Sequence, residues 1–295
     1  MKLKNLSLTL ILFLLSSSLV FGATAPQESD QQISDFSLSG YGDKGKKSWD
    51  ISGKSADIFT EVVKLKDVNG NLYDKVENVN LTAKKGDFNK SDGKVHLEED
   101  VVITTASGAK LTTDSMDWDR KNQLVSTKDR VNIDKDNITI VGTGAHGEPN
   151  LNKVALNKDV RVDINPVASK GEAMDLALKD KVVITCDGQL VVDYEKNIAT
   201  FYDNVKVERP DLTIYSDKMD LYFVRGSDTS AASKIDKSMV SSIDRIVASG
   251  NVKIVRGENI SYSQTAEYKA LEKKIILSGR PKLVFYSTGE QLNHP

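Results

Sequence analysis

One short motif returns along the whole length of this chain, and it restricts the possible folds more than any other feature. Glu99-Asp100-Val101-Val102-Ile103 recurs as Asp129-Arg130-Val131-Asn132-Ile133, Asp159-Val160-Arg161-Val162, Asp203-Asn204-Val205-Lys206-Val207, Gly250-Asn251-Val252-Lys253-Ile254 and Gly279-Arg280-Pro281-Lys282-Leu283. From Val101 through Val131, Val160, Val205 and Val252 to Pro281, the steps are 30, 29, 45, 47 and 29 residues. Each copy sets turn-forming Asp, Asn or Gly before apolar residues two apart, the period of a half-buried strand. A unit this short cannot bury its apolar face alone, so it must stack on the next copy. The pattern predicts an all-β repeat protein whose units are two or three short antiparallel strands.

Composition removes several function classes. The 40 basic and 42 acidic residues are mixed along the 295-residue chain, so no basic field exists to hold nucleic acid. Cys186 is the single cysteine, which excludes an intrachain disulfide and a multi-cysteine zinc site. Its neighbours Ile184 and Leu190 predict a buried thiol.

The N-terminus reads as an export address. Lys2 and Lys4 precede an uncharged apolar run from Leu6 to Phe21 that is short for a bilayer span. Residues 1–25 are expected to be a signal peptide, or an inner-membrane anchor if left uncut, and 26–34 a polar tether. Phe36 to Ser39 and Ser48 to Ser52 then alternate around a turn from Gly40 to Lys47. The spelling Gly40-Tyr41-Gly42-Asp43-Lys44-Gly45 imitates a nucleotide-binding loop, but such loops need a helix directly after the glycines, and here a strand follows.

Further turns are predicted at Asn69-Gly70, Lys85-Gly86-Asp87 and Ser91-Asp92-Gly93. Asn165 to Gly171 breaks the alternation with Pro166 and predicts a domain boundary. Glu172 to Lys179 could make a helical turn or two, and Arg225 to Ser242 reads as an exposed loop.

No constellation suited to catalysis or metal binding emerges, so the chain is not expected to be an enzyme or to carry a cofactor. His96 falls on the polar face of its strand, His146 in a glycine-flanked turn and His294 at the C-terminus. Asp114, Asp117 and Asp119 are close in sequence, but alternation sends Asp114 to the face opposite the other two. Asp67-Val68-Asn69-Gly70-Asn71 lacks the distal glutamate of a calcium loop.

What remains is the apolar phase itself. Val101, Ile103, Val131, Ile133, Val160 and Val162 should face one interior together with Val205, Val207, Val252 and Ile254. Met116, Trp118, Ile214, Met219, Leu221, Phe223 and Phe285 add bulk. Such a face can pack shut, or it can stay partly open and receive lipid chains. Periodicity does not separate the two.

The stretch from Ile184 through Ile198-Ala199-Thr200-Phe201-Tyr202-Asp203-Asn204-Val205 to Leu212-Thr213-Ile214-Tyr215-Ser216-Asp217-Lys218-Met219 resembles the OstA-like domain of the lipopolysaccharide transport protein LptA, and Ile246 to Ile254 fits the same family. Phe36 to Gly40, Trp49 to Ala56 and Gly142-Thr143-Gly144-Ala145 resemble the related LptC. The resemblance implies an elongated open β-jellyroll, two units in tandem over residues 35–168 and 172–288 with a tail at 289–295. It implies a periplasmic protein whose groove carries the acyl chains of lipopolysaccharide from an inner-membrane ABC transporter toward an outer-membrane assembly protein. Terminal edge strands would meet those partners, at Phe36 and Leu38 on one side and Leu283, Val284 and Phe285 on the other. The competing expectation is a structural β-repeat scaffold or adhesin with a closed core.

Overall fold

The computed structural model describes residues 29–42, 45–73, 78–119, 121–122, 124–147, 153–166, 180–193, 195–223, 243–272 and 274–286. The first half forms β1 (Gln31–Tyr41), β2 (Lys47–Ile58), β3 (Val62–Tyr73), β4 (Asn78–Asn89), β5 (Lys94–Thr105), β6 (Lys110–Asp119), β7 (Leu124–Lys135), β8 (Ile138–Gly147) and β9 (Lys153–Ile164). The second forms β10 (Val182–Cys186), β11 (Leu190–Asp193), β12 (Ile198–Arg209), β13 (Leu212–Phe223), β14 (Ile243–Arg256), β15 (Asn259–Lys269), β16 (Lys274–Ser278) and β17 (Lys282–Val284). Each full-length strand pairs antiparallel with its sequence neighbours, so the chain is one continuous meander. β10 and β11 together occupy one strand position between β9 and β12, and β16 and β17 together close the sheet on β15.

The Asp, Asn and Gly of the repeat are not turns between short strands, as the sequence suggested. They are corners inside long ones. Glu99 and Asp100 lie within β5 at φ 64° and 55°, Asp203 and Asn204 within β12 at 63° and 51°, and Gly250 and Asn251 within β14 at 78° and 45°. Asp and Asn tolerate the left-handed region better than other side chains do, which is why a strand corner and a tight turn share one vocabulary. The ladder skips across these residues, resuming at Val101, Val205 and Val252. At the same level the tenth and last strand positions break outright, between Cys186 and Leu190 and between Ser278 and Lys282.

The corners line up into a crease that divides the sheet into two leaves. The near leaf holds the strand halves joined by the β1–β2, β3–β4, β5–β6, β7–β8, β12–β13 and β14–β15 hairpins, with β10, β17 and the second half of β9, and the far leaf holds the other halves. Alternation survives the crease with a changed count. In β5 the buried Leu97 and Val101 stand four apart with Glu99 exposed between them, whereas in β6 the buried Thr113 and Met116 stand three apart. Both leaves therefore turn their apolar phase toward a shared interior.

Several expectations need correction on this frame. Asn69-Gly70 lies inside β3, because the bend falls earlier, at Asp67 with φ 51°, and Gly70 faces inward between Ile51 and Leu81. Lys85-Gly86-Asp87 lies inside β4, where a Cβ on Gly86 would come 2.9 Å from Leu97 Cδ2. His146 is an exposed residue of β8, not of a turn, with Nδ1 2.9 Å from Asn157 Oδ1. Asp114 sits exposed at the crease of β6, so the corner keeps it off the inner face, contrary to simple alternation. Gln31 to Ser34, read as tether, pairs with Ser55 to Ile58 as the start of β1. The signal sequence, Glu172 to Lys179, the Arg225–Ser242 segment and the 289–295 tail lie outside the described residues.

Candidate functional site

The interior between the leaves is built from the repeat valines. Val101, Val131, Val160, Val205 and Val252 stand just past the crease and are at most 1% exposed. A β-branched side chain suits that place, since it fills the angle between two pleated surfaces with little rotamer freedom to lose. Met219 is buried beside them on the far leaf, with Val162, Val207 and Ile254 buried one step further out on the near leaf. Toward the free lips the side chains remain inward in phase but become half-buried: Ile103, Ile133 and Ile214 on the near leaf, and Trp118, Leu221 and Phe223 on the far leaf. Burial thus falls from crease to lip in both halves.

Phe285 departs from expectation. It follows the end of β17 and is 73% exposed, so it lines no wall of the interior. A strand of only three residues ends before the phase can carry that ring inward.

The interior does not stop at the junction of the two halves. Ile184 faces Val162 and Cys186 faces Val160 across the β9–β10 pairing, while Leu190 faces Leu156 across β9–β11. One apolar cluster includes these residues, takes in Ile133, Ile138 and Ile140 from β7 and β8, and reaches Leu277 of β16. A second cluster runs from Phe36 of β1 to Val125 of β7. Cys186 is buried as expected, and desolvation pushes its thiol up to about 11.

Both ends of the interior are open. β1 pairs only with β2, and β16 and β17 pair only with β15, among the described residues. Ile33 and Leu38 at one end and Ile275 and Leu283 at the other hold the inward phase, yet they are 40–58% exposed because no further strand covers them. Sequence reasoning missed Ile33 and Ile275. The signal was present, since each sits in an alternating stretch, but the first was assigned to the tether and the second precedes the last repeat. Phe36, by contrast, is buried against Gly53 although it lies on an edge strand.

The floor carries a few hydroxyls. Thr113 and Thr127 approach each other at 3.3 Å, whereas buried Ser216 and Ser263 hydroxyls have no partner among the described residues. Charged groups lie on the outer faces. His96 Nδ1 is 2.7 Å from Asp117 Oδ1, and Asp50 accepts hydrogen bonds from Asn71 Nδ2 at 2.7 Å and Tyr73 Oη at 2.8 Å beside Lys47 at 2.6 Å. Those partners, led by Asn71, hold the Asp50 carboxyl down at about 2. Among the described residues no group of three or more His, Cys, Asp or Glu is placed to hold a metal ion.

Two antiparallel leaves joined at a crease, apolar within and with uncovered apolar residues at both ends, define an open β-jellyroll. Comparison with known proteins gives the family. Residues 6–165 match the model described as lipopolysaccharide-assembly, LptC-related, and residues 183–293 match LptA/(LptD N-terminal domain) LPS transport protein. The first match spans more than half of the chain, which therefore belongs to the LptC-related lipopolysaccharide-assembly family. These are families of the periplasmic lipopolysaccharide transport bridge, and they are not enzymes. Among solved structures the chain is similar to LptH, the LptA homologous periplasmic component of the lipopolysaccharide transport device of Pseudomonas aeruginosa, at 12% identity and TM-score 0.33, over 61% of this chain and 95% of that one. The search of curated proteins gave no match.

Proposed function

We propose that this chain is a two-unit segment of the lipopolysaccharide bridge, in which the LptC-like unit (35–168) and the LptA-like unit (172–288) form one conduit. Lipid acyl chains enter between the leaves while the polar head stays outside the lips. The observation that carries this reading is the continuity of the inward apolar phase across β9, β10 and β11, together with its exposure at both ends. A scaffold with a closed core has no use for inward-facing Leu38 and Leu283 left uncovered. Lipid would arrive from the inner-membrane ABC transporter at the β1 end and leave toward the outer-membrane assembly protein at the β16–β17 end. Export to the periplasm follows from residues 1–25, retained as an anchor if uncut.

The test is site-specific photo-crosslinking in cells that make lipopolysaccharide. A crosslinker at Ile133, Phe223 or Ile254 should capture lipopolysaccharide, and one at Thr112 or Asn132 on the outer face of the first half should not. Equal labelling of the two sets would remove the conduit.

A further inference from the structure

The outer face of the near leaf changes chemistry between the two halves. Following the register strand by strand, one transverse row reads Ser52, Asn69, Thr82, Val102, Thr112 and Asn132 over β2 to β7, all neutral, and then Val141, Arg161 paired with Asp163, and Thr185 over β8 to β10. From β12 the same row reads Lys206, Tyr215, Lys253, Tyr262 and Lys282, one residue from each successive strand position. Cation and aromatic alternate, with no carboxylate in the row. Adjacent strands lie about 4.8 Å apart, so the ammonium groups repeat at about 10 Å.

We propose that this row binds an anionic saccharide polymer on the outside of the protein, a site separate from the apolar interior. Three features select that occupant. First, the charge is uncompensated where it matters. Lys206 pairs with Glu208 at 2.6 Å, but Lys253 and Lys282 form no ion pair among the described residues. Lys206 and Lys253 stand 5.9 Å and 5.6 Å from the centroid of the Tyr215 ring, so the ring between them sets their spacing.

Second, Tyr215 and Tyr262 are each 39% exposed, and a phenol ring offers a sugar both a flat apolar surface and a hydroxyl. Third, from Lys206 to Tyr262 the row lies in mid-sheet, where the ladders already use the backbone N–H and C=O groups, and only Lys282 reaches the edge strand. A peptide cannot add there as a strand, and a small ligand finds no enclosure. A polymer gains from several weak contacts at a regular pitch.

The experiment uses the full exported chain and polymers without acyl chains, so its outcome is independent of lipid binding in the interior. Polygalacturonate, with a carboxylate on every ring, should be retained and should be released by salt, and neutral dextran should not be retained. The double variant Lys253→Gln/Lys282→Gln should lose at least about tenfold in affinity, since it removes the two unpaired cations. Tyr215→Leu should lose several-fold, and Lys110→Gln, on the near leaf of the first half, should change nothing. Lys282→Gln alone, at the sheet edge, serves if the double variant melts early. Failure to retain polygalacturonate, equal affinity for polyglutamate, or indifference to the lysine and tyrosine substitutions would each overturn the proposal.

Discussion

Val205 and Ile133 carry the same inward phase, yet they do different work because they stand at different depths. Val205 touches the crease on every side, so Val205→Ala should leave a void and cost about 2 kcal/mol in denaturant unfolding. Ile133 is half-buried, so Ile133→Ala should cost about 1 kcal/mol while reducing lipid capture more than stability. An equal loss of stability at both would mean that the lips are closed.

Asp50 gives a pH signature. Its folded pKa, about 2, lies below the ordinary carboxylate value, so its hydrogen bonds to Asn71, Lys47 and Tyr73 favour the ionised form in the folded chain. That contribution is complete above about pH 4 and is lost as pH falls toward 2. The difference in melting temperature between the native chain and Asp50→Asn should therefore shrink on acidification over that range. Cys186 should resist alkylation at pH 8 until the chain unfolds, since burial keeps its thiol protonated.

At the scale of the strand, the crease is the critical element. Gly250 holds φ 78° inside β14, and a Cβ there would lie 2.4 Å from Asp217 Oδ2. Gly250→Ala should cost about 1–2 kcal/mol through backbone strain and collision with that carboxylate. Calorimetry would show it, and an unchanged transition would mean that β14 does not need this corner. Asn251 beside it donates from Nδ2 to Asp217 Oδ2 at 2.9 Å, and Asn204 donates in the same way to Asp187 Oδ2 at 2.8 Å. Side chains of the motif thus tie each corner to the neighbouring strand. The small residues complete the device: a Cβ on Gly142 of β8 would come 2.6 Å from Leu156 Cδ2 of β9, so the even strand makes room for the odd one.

At the scale of the whole molecule, the question is what holds the two units together. β9 meets β10 through five residue pairs and β11 through four, and one apolar cluster spans all three strands. Cutting the chain at a protease site placed within 167–179 should leave the two fragments associated in size-exclusion chromatography. Their separation at micromolar concentration would show that the peptide link, not the sheet, makes the joint. The free C-terminal edge offers the matching test outside the chain. Val284 pairs with Ile260, and Val284→Pro removes a backbone donor from that strand. If this edge makes the proposed contact with an outer-membrane assembly protein, the variant should lose a crosslink that the native chain forms there while β1 to β9 stay folded, and a normal crosslinking yield would exclude this edge as the contact.

The sequence by itself determined the all-β class and the inward phase of the repeat valines, because a period of two needs only neighbouring residues to be read. It also carried the likeness to the transport family in short motifs such as Ile198 to Val207. The tertiary structure alone decided that Asp203-Asn204 bends a strand instead of ending one, and that Asn69-Gly70 passes straight through β3. Local residue preferences are the same for a turn and a corner, so only the partner strand, which continues past or turns back, can choose between them. Depth was likewise out of reach. Val131 and Ile133 are alike in sequence, and the crease buries one and leaves the other at the lip because two leaves converge at one end and part at the other.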